Sequence, residues 1–221
     1  GPGGRGLRGP APPRPRLLIS PPPSPCSGRC QAILHGHGPE EKEIAGTLLW
    51  GVAMKAVVWR GVGDIALENV PEPRIEDGAD AIVRITASAI CGTDLHFVRG
   101  TMPGMRPGTI LGHEAVGIIE ELGPQVRNFN VGDRVVIPST IGCGHCVYCR
   151  AGYFAQCDVA NPNGPNAGTS FYGGPEQTGP FDGLQAEYAR VPYAHTNLVP
   201  IPPGVTDEQA LMVSDIFPTA W

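Results

Sequence analysis

The sequence predicts a mainly β domain with a few short helices, closed into a barrel-like sheet. Three observations carry that expectation. Short β-branched segments recur with Gly- or Pro-containing breaks between them. Glycine and proline are abundant, 31 and 25 of 221 residues, as a turn-rich chain requires. Only one segment, at the C-terminus, carries a clear helix-start signal.

Taken in order, Lys55 to Arg60 (KAVVWR) reads as a first strand, and Ile65 to Val70 as a second that Pro71 and Pro73 end. Ala81 to Ser88 (AIVRITAS) alternates and forms a third. Ala115 to Glu120, Arg134 to Ile137, Leu184 to Val191 and Leu198 to Ile201 continue the series. Thr206 with Gln209 three residues later is a capping-box pattern. Asp207 and Glu208 suit the positive end of a helix dipole. A helix is therefore expected from Asp207 to Ile216, stopping near Pro218.

Residues 1–53 differ in texture. They are rich in Pro, Gly and Arg, and the first acidic residue is Glu40. Such a stretch buries too little apolar surface to offset its ordering entropy, so we expect a disordered extension. A transit peptide shares the Arg-rich, acid-poor composition, but needs an amphipathic helix that repeated prolines oppose. Cys26, Cys30, His35 and His37 fall in this stretch and read as incidental. Met54 opens the folded part, expected over residues 54–221. A formal net charge of −5 gives no basic balance for nucleic acid. No apolar run reaches the roughly 18 residues of a membrane helix. Cysteines clustered in sequence fit metal binding in a reducing, cytoplasmic setting better than a disulfide framework.

Cys143, Cys146, Cys149 and Cys157 form C-x2-C-x2-C-x7-C. Four thiolates at that spacing wrap a tetrahedral zinc ion and close it off, so the site is structural. Gly142, Gly144 and Gly152 allow sharp bends around it, and backbone N–H donors are expected at the sulfurs. Bacterial iron–sulfur runs share the x2 gaps but end C-x3-C-P, which this chain lacks. His145 lies in this lobe as a solvent-facing residue.

Three other potential ligands are far apart: Cys91 in ICGTDLH, His113 in LGHEAVG and Asp215 in VSDIFPT. Singly, a cysteine is a small hydrophobe and a histidine a satisfied core residue. An aspartate in an apolar helix, however, needs a partner. Together with VGDRV (131–135), the four-cysteine lobe and GLQAEYA (183–189), these motifs resemble the zinc-dependent medium-chain alcohol dehydrogenase family, from Met54 to Trp221. The resemblance implies a GroES-like β-barrel catalytic domain. It makes Cys91 and His113 ligands of a catalytic zinc, with Glu114 the acidic neighbour that approaches the metal. Thr93 is implied as the contact to the substrate oxygen, Asp94 as the carboxylate orienting His113, and His96 as the outer end of a proton relay. Gly92 and Thr219 are implied as cofactor neighbours.

The third ligand departs from the Cys2His set usual for alcohol dehydrogenase. That position is Asp215, similar to the branch typified by glutathione-independent formaldehyde dehydrogenase. One thiolate, one neutral imidazole and one carboxylate balance the charge of Zn2+. The resemblance implies two Zn2+ per chain, with NAD(P) in the full-length enzyme. It also implies a small alcohol or aldehyde substrate, formaldehyde leading and a polyol or threonine second, and a homo-oligomer.

Three protein ligands leave an open position for substrate. The alcohol proton would leave through Thr93 toward His96, and hydride would pass to the nicotinamide. No G-x-G-x-x-G following a strand occurs after residue 190, so the Rossmann domain is expected to be absent from this chain, which would bind zinc without turnover. The competing expectation is a non-catalytic, zinc-stabilised structural or interaction module. A module needs no Thr93, Asp94 or His96 beside a ligand cysteine. His195 has no role in either reading and is expected in a surface loop.

Overall fold

The structure, a computed structural model, describes residues 53–221. The expectation for the N-terminal extension therefore lies outside the described residues, except at Ala53. That residue already belongs to the first strand, so the strand starts one residue before the expected boundary at Met54.

The chain is mainly β with short helices. Strands β1 (Ala53–Gly61) and β2 (Asp64–Pro71) form a hairpin, turned through Gly63 at φ 76°. Met54, Ala56 and Val58 point inward on β1, while Lys55 and Arg60 face solvent. After β3 (Ala81–Ser88) come α1 (Gly92–Val98), β4 (Thr109–Ile110), β5 (Ala115–Leu122) and β6 (Arg134–Ile137). Next are β7 (Thr140–Ile141), α2 (Val147–Arg150), β8 (Ser170–Phe171), β9 (Tyr188–Val191) and α3 (Ala194–Asn197). The chain ends with β10 (Val199–Pro200), α4 (Asp207–Leu211) and α5 (Ile216–Ala220).

All the pairings are antiparallel. The main sheet has the order β10-β6-β5-β3-β9, and a second has the order β2-β1-β4. Strand β3 lies between two neighbours and is buried from Ala81 to Val83, which explains its unbroken apolar start. Opposite it, Gly117 leaves no room for a Cβ, which would collide with the Arg84 carbonyl beside the bulge at Ile85–Ala87. Val83, Ile119, Val135, Ile137, Leu184 and Val191 are fully buried in one cluster. Each contributes about 1.5–3 kcal/mol on leaving water.

Two strand expectations change at their ends. Of the segment Leu184–Val191 only Tyr188–Val191 is a strand, and the bent residues before it bond to the other sheet. Val57 N–H donates to the Gln185 carbonyl (2.8 Å), and Glu187 N–H donates to the Lys55 carbonyl (3.0 Å). Residues 188–191 then pair with β3. The segment is thus the corner that joins the sheets, which a period-2 reading cannot reveal. Leu198–Ile201 shortens to β10, bounded by Pro202 and paired only with Val135 and Val136.

The expected helix from Asp207 to Ile216 is two helices. The capping box holds at its start: Gln209 N–H donates to Thr206 Oγ1 (3.3 Å), and Thr206 N–H donates to Gln209 Oε1 (3.1 Å). The helix then breaks, because Ser214 Oγ donates to the Leu211 carbonyl (2.7 Å) and Asp215 turns to φ −147°. Pro218 does not stop the second helix. It sits in the first turn of α5, where the missing N–H has no intrahelical partner to lose. His195 lies in α3 rather than in a loop, and is exposed. Among the described residues, no helix is long and apolar enough to cross a membrane.

Asp207 anchors α4 to the main sheet. It accepts from Thr86 Oγ1 (2.6 Å) and from the Arg134 guanidinium, and these two bonds hold its carboxyl below the usual range. The folded value lies under the unfolded one, so this stability is present above the unfolded pKa of about 3.9 and is lost as pH falls through the folded one. Asp207→Asn should cost about 1 kcal/mol at neutral pH, modest because the pair is partly exposed. Urea melts should show that deficit shrinking in acid.

Candidate metal centres

Two groups of ligand atoms converge among the described residues. In each, one atom from every member lies within 4.8 Å of all the others. The first comprises Cys143, Cys146, Cys149 and Cys157; the second comprises Cys91, His113, Glu114 and Asp215.

The four-cysteine lobe is held by its own backbone. N–H groups point at sulfur from Cys143 to Cys157 (3.3 Å), from Cys146 to Cys143 (3.4 Å) and from Cys149 to Cys146 (3.4 Å). Ala160 N–H adds a further donor to Cys157 (3.3 Å). These are the expected donors around a thiolate cluster. Cys146 and Cys157 sulfurs are 3.9 Å apart, close to the tetrahedral edge of about 3.8 Å that 2.3 Å Zn–S bonds imply. Burial pushes Cys149 up to about 12, with the neighbouring thiols adding. Burial opposes ionisation of Cys157 as well, but N–H donors from Cys143, Val159 and Ala160 outweigh it and bring that thiol down to about 7.

Gly144 and Gly152 bend the loop with φ of 81° and 85°. Gly142 serves differently, because a Cβ there would crowd Phe154 and the Cys149 sulfur. Its backbone is clamped by buried Asn197, which accepts from Gly142 N–H (2.9 Å) and donates to the Gly142 carbonyl (3.0 Å) and to Pro192 (2.7 Å). Sequence reasoning missed Asn197. Nothing local marked it: in AHTNLV it follows two other polar residues. His145 is exposed, as expected.

The second group is a consequence of strand register. Ser88 at the end of β3 pairs with Ala115 at the start of β5, and Ala115 pairs with Ile137 at the end of β6. Cys91 follows the first strand by three residues, and His113 precedes the second by two. Ser139 follows the third, and its N–H donates to the Ser214 carbonyl (3.0 Å), which brings in the break between α4 and α5. Asp215 therefore reaches the site from an irregular turn, not from the helix expected. Its Oδ2 lies 3.5 Å from His113 Nε2 and 3.8 Å from the Cys91 sulfur. Tetrahedral zinc edges are about 3.3–3.5 Å for N–O and about 3.5–3.6 Å for S–O, so the set fits the ion with a small contraction.

The electrostatics point the same way. His113, Glu114 and Asp94 are at most 7% exposed. Burial pushes the Cys91 thiol up, against hydrogen bonds from Thr93, and the Glu114 and Asp215 carboxylates add to the rise. Burial also raises Glu114, and Asp215 and Asp94 add to that. Charge crowded in this way resists ionisation until a cation enters. Behind the ligands, His113 Nδ1 and Asp94 Oδ1 face each other at 3.7 Å, both buried and both without a hydrogen bond. A carboxylate placed behind an imidazole is an arrangement that would support a metal-bound histidine.

Other residues land less simply. Thr93 Oγ1 is 3.8 Å from the Cys91 sulfur, at the site. His96 is exposed and contacts Thr101 Oγ1 (2.7 Å), with no direct bond to Thr93 among the described residues. Gly92 is exposed at the start of α1. Thr219 donates to Asp215 Oδ1 (2.5 Å), and Ser139 Oγ donates to the same oxygen (3.3 Å). Together they leave Oδ2 facing His113 and Cys91. Ser139 was not among the residues the sequence singled out, since nothing local marks it.

Residues 77–203 match the alcohol dehydrogenase GroES-like domain family. The chain is 40% identical over 170 residues to the zinc-type alcohol dehydrogenase-like protein AdhB of Bacillus subtilis, covering 76% of this chain and 44% of that one. It is 34% identical over 177 residues to glutathione-independent formaldehyde dehydrogenase of Pseudomonas aeruginosa, covering 76% and 43%. Among solved structures, alcohol dehydrogenase TADH from Thermus sp. ATN1 superposes with a TM-score of 0.68 at 38% identity, covering 76% of this chain and 45% of that one. The chain thus spans under half the length of these relatives.

Asp215→Ala should strip the Cys91–His113 site of zinc and spare the four-cysteine lobe. Metal analysis of the purified chain tests this; wild-type zinc content in the variant would exclude Asp215 as a ligand.

Proposed function

Because the chain belongs to the alcohol dehydrogenase GroES-like domain family, we propose that it is the zinc-binding half of an oxidoreductase that moves hydride between a small alcohol or aldehyde and NAD(P). One observation carries the reading. Sulfur, imidazole and carboxylate from three distant segments meet within 4.8 Å, with Asp94 behind the imidazole. A purely structural module needs only the closed thiolate lobe.

Zinc at the second site supplies Lewis-acid polarisation of the substrate oxygen, and the nicotinamide supplies hydride acceptance. This chain's residues do the rest. Cys91, His113 and Asp215 would hold the ion, and Glu114, whose carboxylate lies in the same cluster, would be the group that gives way to substrate. Thr93 would accept the substrate's hydroxyl proton while releasing its own. His96 and Thr101, 2.7 Å apart at the surface and not directly bonded to Thr93, would be the outer acceptors that return it to water. Gly92 and Thr219 would be the residues that meet the nicotinamide; Thr219 also fixes the Asp215 carboxylate.

Similarity to the Pseudomonas formaldehyde dehydrogenase, with Asp215 as the oxygen ligand, supports formaldehyde or another small aldehyde as substrate. The reading includes two zinc ions per chain, a homo-oligomer, a cytoplasmic setting, and residues 54–221 as the catalytic domain.

In a chain of the relatives' full length, NAD(P)-linked oxidation of a small primary alcohol should depend on Thr93. Thr93→Val should lower kcat about 100-fold or more with zinc content unchanged. Zinc-replete wild-type chain of that length without turnover on small alcohols or aldehydes would defeat the proposal.

A further inference from the structure

Gln185 sits where the corner segment meets the metal site. Its backbone is fixed on both sides: its N–H donates to the Leu111 carbonyl (2.9 Å), and its carbonyl accepts from Val57 (2.8 Å). The neighbouring Leu184 N–H donates to the Gly112 carbonyl (2.9 Å). The segment leading into His113 is thus laced to residues 184 and 185. Gly112 is at φ 93°, and the space a Cβ would occupy there is filled by the Gln185 side chain.

The amide then reaches past Gly112 to Asp94. Gln185 Nε2 donates to Asp94 Oδ2 (3.2 Å) and to the Ala89 carbonyl (3.3 Å). Both partners are acceptors, so chemistry fixes the orientation of the amide. Asp94 Oδ2 also accepts from Cys91 N–H (2.9 Å). One carboxylate oxygen is thereby fully engaged. The other, Oδ1, has no partner and faces His113 Nδ1 at 3.7 Å. His113 thus presents Nδ1 to Asp94 and Nε2 to Asp215, which lies 3.5 Å away.

We propose that Gln185 is a positioning residue of the second metal site, acting through Asp94 on His113. The inference rests on the metal-site reading above. A neutral donor suits the task. A lysine would satisfy Oδ2 but neutralise the carboxylate that supports the imidazole, whereas an apolar side chain would leave Oδ2 a donor short.

The test uses the whole chain loaded with Co2+ at both sites. The four-thiolate lobe gives its own sulfur-to-cobalt absorption and reports folding. Gln185→Met keeps the length and the packing over Gly112 but removes the donor. It should release cobalt from the Cys91–His113–Asp215 site to a chelator about 10-fold faster, with the lobe unchanged. Gln185→Glu, which sets an acceptor against Asp94, should release it at least as fast. In an Asp94→Asn background, Gln185→Met should add little, because the two act in series. Wild-type release rates in both single variants, or fully additive effects in the double variant, would overturn the role. A wild-type chain that binds cobalt only at the lobe would instead overturn the metal-site reading, and this inference with it.

Discussion

The register that pairs Ser88 with Ala115 and Ala115 with Ile137 puts the ends of three strands side by side, and every other feature of the second site is built on that alignment. Chain segments leaving these ends are short, so their side chains have little freedom to be elsewhere. A one-residue slip would turn each strand's inward set outward, and the fully buried Val83, Ile119 and Val135 resist that. These apolar side chains thus hold the second site's donors in place, although none of the three is a ligand.

Holding them has a cost. Cys91, Glu114, Asp94 and Asp215 bring acidic groups together around a buried imidazole, and burial pushes Cys91 and Glu114 toward their neutral forms. A divalent cation would remove the conflict, so its binding there would be coupled to stability. The strain is local. Asp94 is fed by Cys91 and Gln185, and Asp215 by Ser139 and Thr219, so each carboxylate keeps one oxygen satisfied and one directed at the site.

The two centres differ in what surrounds their donors. Around the four cysteines, donors come from the lobe's own backbone, and Asn197 clamps its entry. Such a centre holds a loop in shape. At the second centre the donors come from separate segments, and the side chains behind them are hydrogen-bonded carboxylates and hydroxyls. Phe171 packs edge-on to His113 and stacks on Phe97, closing the apolar side of the imidazole. That asymmetry, polar support behind and apolar cover beside, is how a binding site differs from a cross-link.

The sequence by itself determined the strand-rich class, because alternation and turn residues are local properties. It also marked the four-cysteine lobe, because its ligands lie within fifteen residues and their spacing is already the geometry. Cys91, His113 and Asp215 were legible only through motif resemblance, since no local rule ties Asp215 to residues more than a hundred positions before it. Tertiary structure alone decided the rest. The corner at 184–187 switches partner because two sheets must close on each other. The helix after Thr206 breaks before Asp215 because the Ser214 hydroxyl donates to the Leu211 carbonyl and the Ser214 carbonyl accepts from the distant Ser139 N–H. Gln185, Ser139 and Asn197 stayed invisible because they act through hydrogen bonds to distant segments, and an amide or hydroxyl carries no sequence mark until its partner is in place.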